Sequence, residues 1–119
     1  MKVYHHPSCS KSRQCVEVLQ KQGSTFEVHP YMKQPLTKIE LQELLTKLAM
    51  LPSELVRKNE LIFKEASKAG VLTEDEILQL MLEHPKLIER PIVEAKGKAM
   101  VIRPIERLTD FMNFINSTK

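Results

Sequence analysis

The sequence is poor in the residues that mark several specialised classes of protein. It contains no Trp, only 5% aromatic residues and only two Cys among its 119 residues. Two cysteines cannot form the multiple disulfides on which small secreted domains depend. A net charge of +3 with so few aromatic residues does not match the basic, aromatic-rich surface of a nucleic-acid-binding domain. We therefore expect neither a disulfide scaffold nor a nucleic-acid partner.

Long apolar runs are also missing. No stretch approaches the ~18 consecutive apolar residues that a transmembrane helix needs, and residues 1–9, MKVYHHPSC, lack the apolar region of a signal peptide. We expect a cytoplasmic protein without membrane contact, where reducing conditions keep a thiol free. The length predicts a single domain, residues 1–119, with enough chain for one hydrophobic core.

The N-terminal part of the chain predicts a strand, a helix and a second strand. Residues 2–4 (KVY) are β-prone, and a helix is predicted from Ser10 with Gly23 at its C-terminal end. Residues 25–30 (TFEVHP) alternate between apolar and polar side chains, as a strand does. Such a β-α-β unit implies that the two strands pair in parallel.

A helical segment follows at about residues 33–86. Two residue pairs have the spacing of a capping box, in which the side chain of each residue bonds the backbone N–H of the other: Thr37 with Glu40 and Thr73 with Glu76. Between these two helices, the sequence predicts a short helix ending near Asn59 and another closed by Gly70. The first capped helix has a predicted apolar stripe: Ile39, Leu41, Leu44, Leu45 and Leu48.

After the helical segment, the pattern of apolar residues is again that of β-strands. Residues 92–95 and 99–102 predict a hairpin joined around Gly97, and a helix with an apolar face is predicted to start at or just after Pro104. The order is therefore β-α-β, a helical insertion, then β-β-α. This order predicts an α/β, thioredoxin-like fold with a mixed four-stranded sheet.

Cys9 lies where the first predicted strand ends and the first helix begins. The unpaired N–H groups and the dipole of a helix N-terminus favour a thiolate over a thiol, and Lys11 and Arg13 add positive charge. These features indicate a nucleophilic cysteine, and the same N–H groups can bind a small oxyanion. An inert buried thiol is the alternative interpretation of Cys9.

The second cysteine, Cys15, shares an apolar helix face with Val16 and Leu19, which predicts packing in the core. Six residues of helix would separate the two cysteines by roughly 9 Å, whereas the Cα atoms of a disulfide lie within about 7 Å. Ser12 occupies the position of the second cysteine of a C-x-x-C motif. Cys9 is therefore expected to depend on an external thiol for its reduction.

Three arginines lie at predicted breaks between elements: Arg57, Arg90 and Arg103. Two of them directly precede a proline, which places them at the ends of elements rather than within helices. Guanidinium groups bind tetrahedral oxyanions in bidentate fashion, so a convergent trio would suit arsenate, phosphate or sulfate. No set of His, Cys and carboxylate residues has the spacing of metal ligands, so we expect no metal.

Four segments together resemble one known family. YHHPSCSKSR, LVRKN, HPKLIERPIV and IRPIE occur in the order and spacing of the glutaredoxin-dependent arsenate reductases, a family that includes the Spx-type regulators. The resemblance covers nearly the whole chain, and CSKSR places the chain in a short branch of the family. It implies a thioredoxin-like fold with a helical insertion.

The resemblance also assigns roles to individual residues. Cys9 matches the catalytic nucleophile, and Arg57, Arg90 and Arg103 match the arginines that hold the oxyanion. The supporting residues of the family are matched by His5, Ser12, Arg13 and Pro91, with the bond between Arg90 and Pro91 matching a cis peptide bond. Ser10 and Lys11 stand where the family usually has Gly-Thr, so Lys11 is expected to contribute to substrate binding and anion preference.

The implied function is a cytoplasmic oxidoreductase that reduces arsenate to arsenite through the Cys9 thiolate. The resemblance implies no bound cofactor, glutathione as co-substrate, and glutaredoxin or another thiol donor as partner of a monomeric enzyme. A thiol reductase acting on another oxidised substrate is one alternative. An Spx-like regulator that binds RNA polymerase is the other, and C-x-x-S counts against it because those regulators commonly use C-x-x-C.

Overall fold

The strands and helices follow the predicted order in the structure, a computed structural model that describes residues 1–117. Its strands are β1 (Lys2–Tyr4), β2 (Glu27–His29), β3 (Ile92–Ala95) and β4 (Lys98–Val101). Its α-helices are α1 (Ser10–Lys21), α2 (Lys38–Leu48), α3 (Pro52–Leu55), α4 (Leu61–Ala66), α5 (Glu74–Glu83) and α6 (Arg107–Ser117). A short 3-10 turn, Pro85–Leu87, follows α5.

The four strands form one mixed sheet in the order β2-β1-β3-β4. β1 pairs with β2 in parallel and with β3 antiparallel, so Val3 lies between Val28 and Val93. β3 and β4 complete the sheet as an antiparallel hairpin. This topology confirms the α/β, thioredoxin-like arrangement predicted from the order of the elements.

The chain divides into two compact units. The first consists of Met1–Gln34 and the described residues from Arg90 onward, and it contains the sheet with α1 and α6. The second, Pro35–Glu89, contains α2 to α5 and the 3-10 turn, in the region where the sequence predicted a helical insertion. That the whole chain is a single domain stays a prediction.

The core of the first unit is built from the inner face of the sheet and the apolar faces of α1 and α6. Cys15 is fully buried there, which confirms its predicted packing, and burial raises the pKa of its thiol to about 11. The buried members of this cluster are Val3, Cys15, Leu19, Val93, Ile102, Leu108, Phe111 and Ile115. Packing α1 against β1 in this way fixes the direction in which its N-terminus points.

Both predicted capping boxes are present in the second unit. Thr37 Oγ1 accepts a hydrogen bond from the Glu40 N–H at 3.1 Å, and Glu40 Oε1 accepts one from the Thr37 N–H at 2.9 Å. Thr73 and Glu76 make the same reciprocal pair at the start of α5. Hydrogen bonds from Thr73 lower the pKa of the Glu76 carboxyl.

Three details of the helical region differ from the prediction. α3 ends at Leu55 rather than near Asn59, because Val56 is extended and forms an isolated antiparallel bridge with Ile88. α4 ends at Ala66, and turns rather than helix lead to Gly70. Ile39 is 67% exposed instead of joining the apolar stripe, because about 100° of rotation per residue places it opposite the other members of the stripe.

The hairpin and the last helix begin at positions slightly different from those predicted. Lys96 and Gly97, with φ of 51° and 75°, form a two-residue turn, so β4 begins at Lys98, one residue earlier than expected. α6 begins at Arg107, three residues after Pro104. The peptide bonds that precede Pro91 and Pro104 are both cis; only the first was predicted. Within residues 1–117, no helix has the length and apolar character required to cross a membrane.

Candidate active site

Cys9 is the N-cap residue of α1, at the end of the loop that follows β1. Its backbone is extended, with φ of −95° and ψ of 121°, and its carbonyl accepts the first hydrogen bond of the helix from the Arg13 N–H at 3.0 Å. The Cys9 N–H donates to the His6 carbonyl at 2.9 Å, which closes the loop. The half-buried thiol is therefore held at the N-terminus of a helix, as the sequence predicted.

The structure brings Arg90 and Arg103 to this thiol. Arg103 Nη2 lies 3.7 Å from Cys9 Sγ, and Arg103 Nε donates to the Arg90 carbonyl at 3.1 Å. The two arginines flank the β3–β4 hairpin, one before each cis proline. Because the hairpin is antiparallel, its ends meet, and the Ile102 N–H donates to the Pro91 carbonyl at 2.8 Å. The hairpin therefore aligns two residues that are far apart in sequence.

The surroundings of the sulfur favour its anion. Partial burial is the largest single influence and acts to raise the pKa of the Cys9 thiol. Hydrogen bonds from the Ser12 N–H, the Arg90 side chain and the Lys11 N–H, together with the charge of Arg90, outweigh burial and lower the pKa. The result is a larger thiolate population at neutral pH than an ordinary cysteine has.

This pKa shift predicts the alkylation behaviour of the two thiols. In the folded protein, the rate of Cys9 modification by iodoacetamide should reach half its maximum at a lower pH than in the unfolded chain. Cys15 should remain unmodified over the same pH range, because its thiol is buried and its pKa is raised to about 11. Mass spectrometry of quenched samples measures both rates, and the denaturant-unfolded chain is the control. Equal Cys9 midpoints in the folded and unfolded chains would contradict the prediction.

Ser12 links the cysteine-bearing loop to the start of α1. Its side chain is fully buried, and its Oγ lies 2.8 Å from His5 Nδ1 and accepts the His6 N–H at 3.0 Å. Burial and the nearby charge of Arg13 lower the pKa of His5, which favours the neutral imidazole. With the His6 N–H already donating to it, the Ser12 hydroxyl is best placed to donate its proton to His5 Nδ1. His5 therefore pairs with Ser12 rather than with the cysteine.

The two basic residues after Cys9 occupy exposed positions. Arg13 Nη1 donates to the Pro7 carbonyl at 2.9 Å, so this side chain braces the loop. Lys11 has an exposed side chain, while its backbone N–H is one of the donors that lower the pKa of Cys9. The predicted role of the Lys11 ammonium in substrate binding stays a prediction.

Arg57 belongs to the second unit, and its polar partners lie there. Its guanidinium forms ion pairs with Glu60 at 3.5 Å and with Glu89 at 3.2 Å. Neither carboxylate was predicted to be a functional residue. The spacing of Glu60, three residues after Arg57, could have suggested the first pair, whereas the second depends on a long-range contact. The part that Arg57 takes in oxyanion binding stays a prediction.

No group of three or more His, Cys, Asp and Glu side chains is placed to hold a metal ion among residues 1–117. The arrangement around Cys9 places a thiolate next to the arginines Arg90 and Arg103 and a helix N-terminus. Such donors stabilise negative charge on an oxyanion and on the sulfur that attacks it.

Comparison with known proteins relates this site to a family. Residues 4–111 match the model of the ArsC family. The uncharacterized protein YfgD of Escherichia coli strain K12 is 40% identical over 114 residues, which are 94% of this chain and 96% of that protein. An arsenate reductase of Neisseria meningitidis serogroup A is 36% identical over 110 residues, 91% of this chain and 94% of that one. The solved structure of an arsenate reductase from Vibrio cholerae is 37% identical with a TM-score of 0.85, covering 92% of this chain and 97% of that chain.

Proposed function

Because the chain belongs to the ArsC family, we propose that it is an oxidoreductase that reduces arsenate to arsenite through the thiolate of Cys9. The observation that carries the proposal is the position of this sulfur. It lies at the N-terminus of α1 with Arg103 Nη2 at 3.7 Å and with a lowered pKa. A sulfur with a lowered pKa beside a cationic donor at one point of the fold supports this proposal.

The proposed reaction begins when the Cys9 thiolate attacks the arsenic of bound arsenate. A sulfur–arsenic bond forms, and one arsenate oxygen leaves as water after protonation. A glutathione thiol then attacks Cys9 Sγ, the sulfur–arsenic bond breaks, and arsenic retains its two electrons and leaves as arsenite. The resulting mixed disulfide is reduced by glutaredoxin or another thiol donor. Two thiols are thus oxidised to one disulfide while As(V) becomes As(III).

The charged residues are proposed to hold the oxyanion during this attack. We assign Arg57, Arg90 and Arg103 to arsenate binding, since guanidinium groups match the geometry of tetrahedral oxyanions. The exposed ammonium of Lys11 is proposed to tune the preference among anions. The Arg90–Pro91 junction would present Arg90 to the substrate, and the remaining residues of the site, His5, Ser12 and Arg13, would support the cysteine loop through the hydrogen bonds described above.

The thiol donor follows from the sequence around Cys9. Because Ser12 replaces the second cysteine of a C-x-x-C motif and Cys15 is buried in the core, the oxidised sulfur requires a thiol from another molecule. Glutathione as co-substrate, glutaredoxin as partner, a cytoplasmic location and a monomeric enzyme are parts of this proposal.

A thiol reductase that acts on glutathionylated or other oxidised sulfur substrates is the second candidate. It is favoured by the half-buried thiol of Cys9 next to the exposed Lys11. An ammonium at this position could bind the carboxylates of a glutathionyl group. Release of glutathione from a glutathionylated peptide by the protein, measured beside arsenate reduction, distinguishes the two candidates.

The test of the main proposal is a coupled assay with purified protein. Arsenate-dependent oxidation of NADPH is measured with glutathione, glutaredoxin and glutathione reductase present, and each component is omitted in turn. We expect oxidation that requires arsenate, the protein and glutathione together. A rate equal to the protein-free rate at saturating arsenate would contradict the proposal.

A further inference from the structure

A cavity of about 500 Å³ lies within the second unit. It is lined by residues of α3, α4 and α5 and of the segments between these helices. Pockets that hold small organic molecules have volumes of about 300–1,000 Å³. The size of the cavity therefore suits a small-molecule ligand, and the reaction proposed for Cys9 uses none of its residues.

Much of the cavity wall is apolar. Phe63 of α4, Leu72 from the segment between α4 and α5, and Ile77 of α5 line it. Ile77 is buried, whereas Phe63 and Leu72 are half-buried, so part of their apolar surface is in contact with solvent. Val71, which also lines the cavity, is 100% exposed. A ligand with an apolar body would remove this surface from water, which favours its binding.

Two lysines line the same cavity, Lys58 before α4 and Lys68 after it. Lys68 Nζ lies 3.5 Å from Glu65 Oε2, but these side chains are 75% and 58% exposed, so the pair holds the ammonium only weakly. The side chain of Lys58 is exposed, and among residues 1–117 no carboxylate lies within ion-pair distance of its ammonium. Lys58 is therefore the cation that is available to an anionic group.

One carboxylate, that of Glu74, belongs to the lining as well. Its Oε1 accepts a hydrogen bond from the Ser53 N–H at 2.8 Å, which holds it at the start of α3. The two ammonium groups and the single carboxylate leave the lining with one positive charge in excess. The charge of the cavity therefore favours an anion over a cation.

We propose that this cavity binds a small organic anion with an apolar body, such as an aliphatic carboxylate. The apolar chain covers Phe63 and Leu72, and the carboxylate pairs with the ammonium of Lys58. Burial of the chain supplies most of the affinity, since each buried methylene contributes more than an exposed ion pair typically does. The ion pair with Lys58 selects the charge of the ligand.

A titration with sodium octanoate tests the proposal. The 15N-labelled full chain is used, and the backbone amide resonances of Phe63, Ser67 and Leu72 are followed by NMR. We expect saturable shifts with octanoate. Octan-1-ol has the same chain without the charge and should require about a two- to fivefold higher concentration for half-saturation, the range for one exposed ion pair. Octylammonium should require a higher concentration still. Hexanoate, which lacks two methylenes, should require roughly tenfold more than octanoate.

Substitutions in the cavity separate the contributions of charge and chain. Lys58→Gln should raise the half-saturating octanoate concentration about two- to fivefold and leave that of octan-1-ol unchanged. Lys64→Gln is the matched control, because Lys64 is exposed on α4 and does not line the cavity. It should leave both titrations unchanged. Val71→Asp adds a negative charge at a fully exposed position and should weaken octanoate binding more than Val71→Asn does.

Circular dichroism melting confirms that each variant is folded at the temperature of the titration. Shifts that increase with octanoate without saturation, or saturable shifts confined to residues outside the cavity, overturn the site. Octan-1-ol binding as tightly as octanoate, or equal effects of Lys58→Gln and Lys64→Gln, overturns the assignment of an anion to Lys58.

Discussion

The Cys9→Ser variant is expected to lose arsenate-dependent NADPH oxidation by at least about a thousandfold. A serine hydroxyl is not ionised near neutral pH, so the helix N-terminus and the neighbouring arginine would surround a poor nucleophile. An alkoxide would also form no disulfide with glutathione, so the second step of the reaction would be lost as well. The coupled assay measures the loss directly, at saturating arsenate and glutathione.

Cys15→Ala is the control for this loss. It removes the other thiol, which is fully buried in the core of the first unit and has a pKa raised to about 11. We expect this variant to be less stable, because a buried sulfur is deleted, but to retain turnover at temperatures where it is folded. Turnover by Cys9→Ser within tenfold of the wild type, or loss of activity in both variants while both remain folded, would show that Cys9 is not the nucleophile.

The elements that could be predicted correctly are those in which the residues that determine the structure lie close together in the sequence. Thr37 with Glu40 and Thr73 with Glu76 begin their helices by hydrogen bonds that span three residues, so the sequence contains all the partners. The same holds for Cys9 as the N-cap of α1, since a short β-prone run and a helix start flank it. The parallel pairing of β1 with β2 then follows from the β-α-β order.

One error lies where a distant contact decides the local structure. The sequence from Pro52 reads as a helix to Asn59, but Val56 leaves the helix to pair with Ile88, and nothing within the segment indicates that partner. The displacement of β4 by one residue has a different cause. A positive φ at Lys96 permits a two-residue turn, and a lysine is not a residue from which this conformation is expected.

The residues of the candidate site show the same difference between local and long-range signals. A reactive Cys9 could be argued from its position at a helix start, whereas the proximity of Arg90 and Arg103 depends on the pairing of β3 with β4. Only the resemblance to a known family suggested that these arginines meet. The Glu89 carboxylate on Arg57 was missed altogether, because the pair depends on the bridge between Val56 and Ile88. Contacts between side chains that are far apart in the sequence are thus the hardest to predict.

Arg103→Ala is expected to reduce kcat/KM for arsenate by about a hundredfold. Loss of one hydrogen-bond donor to a developing oxyanion typically lowers the reaction rate by about this factor. Arg103 Nη2 is 3.7 Å from Cys9 Sγ, so an oxyanion under attack by that sulfur would lie within reach of the guanidinium. The pKa of Cys9 is lowered by groups on Ser12, Arg90 and Lys11. Because the Arg103 guanidinium also lies 3.7 Å from the sulfur, its loss should raise the pKa of Cys9 as well, so kcat/KM is compared at a pH above the alkylation midpoint of each protein, where both thiols are ionised.

Two further variants make this prediction specific to the guanidinium of Arg103. Arg103→Lys keeps the charge but lacks the planar guanidinium that binds an oxyanion through two donors. Its kcat/KM should therefore lie between those of Arg103→Ala and the wild type. Arg107→Ala removes the same charge from an exposed position at the start of α6, and its kcat/KM should stay within about twofold of the wild type because exposed charges act weakly across solvent. If Arg103→Ala lowers kcat/KM no more than Arg107→Ala does, Arg103 does not bind the oxyanion. If the loss of kcat/KM disappears once both thiols are ionised, Arg103 acts by activating the thiol, and its assignment to the substrate is wrong.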